Sequence, residues 1–197
     1  MVDDAELVER LRAGDEGAFV MLVERYDALL VRLAGTFVPN QAVAEEVVQD
    51  TWLGVVKGIE GFEGRSSLKT WLFRILVNRA RSTGLRERRS VATDPQVEAT
   101  VDPARFGRDG AWSDPPSPWA DQADDRVVAE QLAKRVQSLL EELPDAQRQV
   151  VVLRDVEGVS APEACELLGL TEANQRVLLH RGRARLRHML EVEMGKG

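Results

Sequence analysis

Residues 160–190 combine two helical patterns with one glycine between them, and this arrangement constrains the fold more than any other stretch. Ser160 can cap a first helix with Glu163 closing a capping box, and Thr171 can cap a second helix. Gly169 supplies the turn, where the backbone needs a left-handed conformation. The spacing predicts a helix-turn-helix.

The second helix of this pattern is strongly basic. Over residues 171–187 a single acid, Glu172, stands against five arginines: Arg176, Arg181, Arg183, Arg185 and Arg187. A helix of this charge suits the major groove of DNA. A basic face that is simply solvated is the competing interpretation.

A helical wheel at about 100° per residue divides the second helix into two sides. The side predicted to pack carries Gln175, Leu179, Gly182, Leu186 and Leu190. The side predicted to face a ligand carries Val177, His180, Arg181 and Ala184. In the first helix, Ala164 and Cys165 lie where the two helices are predicted to cross and a small side chain is needed, so Cys165 is predicted to lie in the core.

Charge is segregated along the chain, although its formal net charge is −7. Residues 65–89 contain eight Lys and Arg but one acid, whereas residues 1–64 contain five basic and thirteen acidic side chains. Residues 65–89 and residues 171–197 are thus two basic islands in an acidic chain. This distribution is typical of nucleic-acid binding. The acidic start and the short apolar runs argue against a signal peptide and against membrane insertion. A single cysteine fits the reducing cytoplasm.

Apolar periodicity predicts helices over residues 3–13, 16–37, 41–57 and 68–88, and therefore an all-α fold. The third helix has a polar side that contains one leucine. Its members are Glu46, Gln49, Asp50 and Leu53. A leucine among polar neighbours indicates a partner surface, and a solvated face with one stray leucine is the alternative.

A glycine-rich loop precedes the fourth helix, which Ser67 can cap. The predicted buried stripe of this helix is Leu68, Trp71, Leu72, Ile75 and Leu76. Phe73 could be core or a stacking platform. Basic side chains beside a flexible loop suit a single-stranded nucleic acid, whose backbone they would hold electrostatically.

Residues 90–125 have no helical period and contain five prolines, eight acids and two arginines, which predicts a flexible acidic linker. Trp112 and Trp119 in this stretch mark either a docking point or a local turn packed on a neighbouring domain. A helical pattern resumes at Arg126, and Pro144 opens a further helix that Gly158 ends. The chain is therefore predicted to contain two small helical domains, residues 1–89 and 126–197, joined by the linker.

Four motifs stand out in the chain: AEEVVQDTWL at residues 44–53, FEGRSSLKTWLFRILVNRAR at 62–81, LPDAQRQVVVLRDVEGVS at 143–160 and LLHRGRARLR at 178–187. They resemble motifs of the extracytoplasmic-function (ECF) group of bacterial RNA polymerase sigma factors. The resemblance implies a transcription initiation factor that binds core RNA polymerase and promoter DNA, without a cofactor or metal. It also implies an anti-sigma factor as regulator.

The resemblance implies three surfaces. Glu46, Gln49, Asp50 and Leu53 would dock on the clamp coiled coil of polymerase. The single strand of the downstream promoter element would contact Gly64, Arg65, Ser66, Ser67, Lys69, Arg74, Asn78 and Arg79. The upstream element would contact Asn174, Arg176, Val177, His180, Arg181 and Arg183. The family commonly has T-V-K-S-R where this chain has residues 174–178, so Arg176 and Arg181 are the contacts expected most firmly.

Three other functions fit fewer of these features. A stand-alone helix-turn-helix regulator would use residues 160–190 but neither residues 65–89 nor the polar side of the third helix. An enzyme is disfavoured because the chain contains no phosphate-binding loop, no H-E-x-x-H and only two histidines, His180 and His188. A pure adaptor built on Trp112 and Trp119 would not need the two basic islands.

Overall fold

The computed structural model describes residues 3–90 and 135–194. Every regular element in these ranges is helical, which confirms the all-α prediction. The helices are α1 (Asp4–Arg12), α2 (Glu16–Ala34), α3 (Gln41–Gly58), α4 (Leu68–Ser90), α5 (residues 135–141), α6 (Asp145–Val151), α7 (Ala161–Leu168) and α8 (Glu172–Met194). A 3₁₀ turn, Ile59–Gly61, follows α3, and a π turn, Val152–Val156, continues α6.

The chain divides into two compact units. The first is Met1–Pro95 with Pro162–Gly169, and the second is Gln96–Ala161 with Leu170–Gly197. Helices α1–α4 and α7 thus belong to the first unit, and α5, α6 and α8 to the second. The predicted flexible linker, with Trp112 and Trp119, and the predicted helix start at Arg126 lie outside the described residues, so the domain boundaries stay predictions.

Helix starts in the first unit are fixed by local hydrogen bonds, among them the predicted cap at Ser67. The side chain of Asp15 accepts from the Ala18 N–H at 3.1 Å, and that of Asn40 accepts from the Val43 N–H at 3.0 Å. Ser67 accepts from the Thr70 N–H at 3.0 Å and so caps α4. Each cap satisfies a backbone donor that the first helical turn leaves unpaired.

The core of the first unit lies between α2, α3 and α4. Its largest fully buried side chains are Leu22, Leu30, Leu33, Val55, Leu68, Leu72, Phe73, Leu76 and Val77. The predicted stripe of α4 was therefore partly wrong, because Trp71 and Ile75 are only half-buried whereas Phe73 is fully enclosed. Since both α2 and α3 pack on α4, the buried arc of this helix is wider and rotated relative to a single stripe.

Trp71 packs on the loop before α4 instead of entering the core. Its ring centroid lies 5.3 Å from that of Phe62, which is buried. This contact attaches the glycine-rich loop to α4.

In the second unit, α8 packs closely on α6. A Cβ at Gly182 would lie only 2.6 Å from Val151 Cγ2, so only glycine fits this helix crossing without displacing a neighbour. Gln175 and Gly182 are buried, as the wheel predicts. The wheel was wrong for Ala184, which is buried at 6% exposure, because it considers one helix and not the neighbours that enclose it.

The turn between α7 and α8 has the predicted chemistry. Gly169 adopts a φ of +61°, and the Thr171 hydroxyl accepts from the Asn174 N–H at 3.2 Å. The prediction that Cys165 is core was wrong: the residue is half-buried, whereas its neighbour Ala164 is fully buried. Of these two small side chains, α7 buries Ala164.

Candidate functional site

The polar side of α3 is open to solvent over its whole length. Glu46, Gln49, Asp50 and Leu53 are all exposed, and Leu53 has 59% of its surface accessible. Val56, which is 56% exposed, extends the same side by one turn. The sequence reasoning missed Val56, although its position three residues after Leu53 could have revealed it. An acidic helix face with two exposed apolar side chains is suited to binding another protein.

The loop before α4 borders a pocket in the first unit. The pocket has a volume of about 380 Å³ and lies between α1 and residues 62–68. Arg12 of α1 donates a hydrogen bond to the Phe62 carbonyl and so holds the start of the loop. Gly64, Ser66 and Ser67 line the pocket, and Arg65 is exposed beside them. A pocket of this volume is at the small end of ligand sites and can take a single nucleobase, but not a duplex.

Of the candidate DNA residues of α4, Arg74 and Asn78 lie on its outward side, whereas Lys69 and Arg79 lie about 100° or more away around the helix. Lys69 lies over the Phe73 ring, with Nζ 5.4 Å from the centroid. Arg74 pairs with Glu166 at 2.7 Å, and its side chain is 43% exposed. Asn78 is exposed. Lys69, Arg74, Asn78 and Arg79 are together called the basic set of α4.

The α3 face and the basic set of α4 meet at an ion pair. Arg79 Nη1 lies 3.9 Å from Asp50 Oδ2, so a residue from each predicted surface contributes to this pair. Gly54 leaves room for the guanidinium, which a Cβ there, 2.7 Å from Arg79 Nη2, would displace. One candidate nucleic-acid contact thus lies at the edge of the candidate protein-binding face on the first unit.

Helix α8 presents a polar side at its N-terminal half. Asn174, Arg176, Val177 and Arg181 are exposed, and His180 is half-buried. Arg176 pairs with Glu172 one turn earlier at 3.2 Å, with more than 60% of each side chain accessible. Burial, followed by the charges of Arg181 and Arg183, lowers the pKa of His180. The histidine is therefore neutral near pH 7 and offers a hydrogen bond without adding charge.

Arg183 differs from the other candidate DNA contacts of α8. Its guanidinium donates two hydrogen bonds to the carboxylate of Asp155, at 2.6 and 2.8 Å. These bonds raise the pKa of Arg183. The prediction that Arg183 contacts DNA must therefore account for a guanidinium already bound within the second unit.

Within residues 3–90 and 135–194, no three His, Cys, Asp or Glu side chains gather into a possible metal site. No helix of the same ranges is long and apolar enough to cross a membrane.

Two family models match the chain. The Sigma-70 region 2 model matches residues 22–90, and the Sigma-70 region 4 model matches residues 133–186. The first match contains the α3 face, the loop and α4. The second contains Asp155 and all six candidate residues of α8.

Curated relatives and solved structures agree with these matches. The ECF RNA polymerase sigma-E factor of Escherichia coli strain K12 is 30% identical over 91% of this chain and 90% of its own length. The structure of CnrH in complex with the cytosolic domain of CnrY has a TM-score of 0.58 at 26% identity, covering 96% of this chain and 97% of that one. The sigma factor RpoE of Bartonella quintana, solved with the anti-sigma factor NepR, shares the fold with a TM-score of 0.59 at 24% identity, covering 88% of this chain and 97% of that one.

A polymerase-associated initiation factor is the class that the two matched regions define. The chain belongs to the ECF family of RNA polymerase sigma factors, which associate with core RNA polymerase and direct it to specific promoters. The match over residues 22–90 disfavours a stand-alone DNA-binding regulator, because that class would not use this region.

Proposed function

We propose that the three candidate surfaces divide the work of promoter recognition. The α3 face, Glu46, Gln49, Asp50 and Leu53 with Val56, docks on core RNA polymerase. The loop Gly64–Ser67 with the basic side of α4 holds the melted downstream element. The exposed side of α8 reads the upstream element. The proposal includes no catalytic step, and the protein works in the cytoplasm with polymerase.

One observation supports the first two assignments above all others. Asp50 of the α3 face and Arg79 of the basic set are 3.9 Å apart, so one proposed DNA contact lies at the edge of the docking face. A protein docked on α3 would therefore lie next to a strand held by Arg79.

The pocket next to the loop supports capture of one unpaired base. Its volume of about 380 Å³ suits a base that has left the stack, while Arg74 and Arg79 lie on the adjoining helix to hold phosphates. Unstacking one base costs a few kcal/mol, and contacts to the base in this open pocket together with phosphate contacts would offset that cost.

Regulation by a second protein is part of the proposal. CnrH, a structural neighbour at 26% identity, was solved in complex with the cytosolic domain of another protein. The exposed apolar pair of the α3 face, Leu53 and Val56, offers an anti-sigma factor a surface by which to block access to polymerase.

Run-off transcription with purified core polymerase on genomic DNA tests the function itself. The wild type is expected to direct specific initiation, whereas Leu53→Ala should weaken association with core polymerase while the circular dichroism spectrum stays helical. Transcripts without added protein, or none with it, would contradict the initiation role. Unchanged association of the Leu53 variant would remove this residue from the interface.

Permanganate footprinting of a promoter found in this way tests the α4 assignment. Replacing both Arg74 and Arg79 with alanine should leave the closed complex intact and reduce strand opening. A control that replaces Arg25 and Arg32 of α2 removes the same charge from the first unit and should open DNA normally. Equal effects of the two pairs would show that only net charge matters.

A further inference from the structure

Asp155 and Arg183 form a contact that direct DNA recognition does not require. Arg183 Nε donates to Asp155 Oδ2 at 2.8 Å, and Nη2 donates to Oδ1 at 2.6 Å. Two parallel bonds fix the orientation of the guanidinium plane as well as its distance from the carboxylate. The two side chains are 30% and 31% exposed, so solvent screens them only in part.

The backbone around Asp155 is itself held in place. Asp155 lies in the π turn Val152–Val156, where the Glu157 N–H donates to the Val152 carbonyl at 2.9 Å. A π turn contains more residues than an α turn and rotates the side chains that follow it. Arg154 donates to the Val159 carbonyl, which closes the turn from its other end.

Helix α8 is fixed at the residue next to Arg183 as well. Gly182 is buried at the close crossing with α6, where Val151 leaves no room for a Cβ. The packing at Gly182 sets the distance between α6 and α8. The ion pair at Arg183 adds a further restraint on the rotation of α8 about its own axis.

This rotation determines where Arg181 points. Arg181 precedes Arg183 by two residues, about 200° around the helix, so the two side chains leave α8 on opposite sides. Arg181 is exposed, whereas Arg183 is directed to Asp155. A side chain that reads a base edge needs an accurately placed helix, because paired hydrogen bonds tolerate little rotation.

We propose that Arg183 is a positioning residue, not a phosphate contact, and that the pair Asp155–Arg183 orients α8 so that Arg181 can read the upstream element. The proposal rests on the proposed function of α8. It assigns a role in recognition to Asp155, an acid that cannot itself bind a phosphate.

The sign of the Asp155 effect separates this role from simple electrostatics. Removing an acid next to DNA should strengthen binding if charge alone matters. Removing Asp155 should weaken recognition if the acid positions α8. Glu172→Gln is the matched control. Glu172 also pairs with an arginine of α8, Arg176 one turn further along the helix, but that contact is exposed.

The test uses the full-length protein with core polymerase, a promoter fragment and the same fragment with a scrambled upstream element. Affinity for both is measured against salt concentration for the wild type, Arg183→Ala, Asp155→Asn, Glu172→Gln and the swapped pair Asp155→Arg with Arg183→Asp. Arg183→Ala and Asp155→Asn should each lower the preference for the intact element about three- to tenfold, part of what one base contact supplies. The salt slope should stay unchanged, Glu172→Gln should not lower the preference, and the swapped pair should recover most of it.

Two results would overturn the proposal. A salt slope lower by about one unit in Arg183→Ala, with unchanged or tighter binding by Asp155→Asn, would identify Arg183 as a phosphate contact. Thermal unfolding of the same variants gives a readout independent of DNA. The losses of stability in Asp155→Asn and Arg183→Ala should not add in the double variant. Additive losses would show that the two residues are not coupled. If wild-type complexes ignore the upstream element, the proposed function of α8 fails, and the unfolding cycle still decides whether the pair holds α8.

Discussion

Trp52 of α3 donates its indole N–H to the Asp27 carboxylate of α2 at 2.9 Å. Trp52 is buried, and the next residue, Leu53, is the most exposed large apolar side chain of the α3 face. The hydrogen bond therefore anchors the inner side of α3 directly next to Leu53, which is proposed to bind polymerase on the outer side. The two residues link the stability of the first unit to the placement of its docking surface.

Replacing Asp27 with alanine should lower the free energy of unfolding by about 1–3 kcal/mol, because a largely buried indole N–H loses its acceptor. Asp27→Asn keeps an oxygen that can accept the bond and should cost clearly less. Urea unfolding followed by circular dichroism measures both variants. Equal losses in the two variants would show that the carboxylate charge, and not the hydrogen bond, matters here.

Val56 and Val177 have similar exposure, 56% and 46%, but lie on surfaces with different proposed partners. Val56→Asp should weaken association with core polymerase about tenfold or more, since a charge would enter the centre of an apolar contact. Val177→Asp should leave that association unchanged and reduce preference for the upstream element. Polymerase binding and promoter binding, measured on both variants, give two independent comparisons. Loss of polymerase binding in both would point to misfolding or to a different interface.

The pKa of His180 is lowered by burial and by the charges of Arg181 and Arg183, so the folded protein binds this proton less readily than the unfolded chain does. Unfolded histidine has a pKa near 6.5. The stability contributed by neutral His180 is thus fully present above that pH and decreases as the pH falls below it, through the folded pKa.

Thermal unfolding between pH 5 and pH 8 tests this relationship. The Tm of the wild type should fall relative to the Tm of His180→Gln as the pH falls. A difference that is constant across this range would show that His180 does not titrate differently in the folded protein.

Local rules predicted the helix starts and failed where several helices meet. Ser67 and Thr171 cap their helices as expected, because each cap depends on atoms within three residues. The burial of Phe73 in place of Trp71 depends on two neighbouring helices that pack on α4. A wheel drawn for one helix does not contain this information.

The same limit applies to the candidate site. The α3 face could be predicted because its members share one side of one helix, and Val56 could have been added by the same rule. Arg183 was grouped with the DNA contacts because its charge and its helix suggest that role. Its partner, Asp155, is 28 residues away along the chain, so only the fold shows that the two meet.

Gly64 adopts a φ of +69°, a conformation that alanine enters only at a cost of about 1 kcal/mol and that asparagine tolerates better. A Cβ at this position meets no atom within 4 Å, so the strain would change the backbone of the loop without a steric clash. Gly64→Ala should therefore reduce promoter opening, by about fivefold if the whole strain opposes the loop shape that holds the base. Gly64→Asn should retain most of the opening, and polymerase association should be equal in all variants.

Gly61→Ala is the matched control, since its Cβ also meets no atom within 4 Å and Gly61 has no positive φ. Permanganate reactivity of the melted strand measures all three variants, and normal opening by Gly64→Ala would show that the loop does not need this conformation to hold an unpaired base.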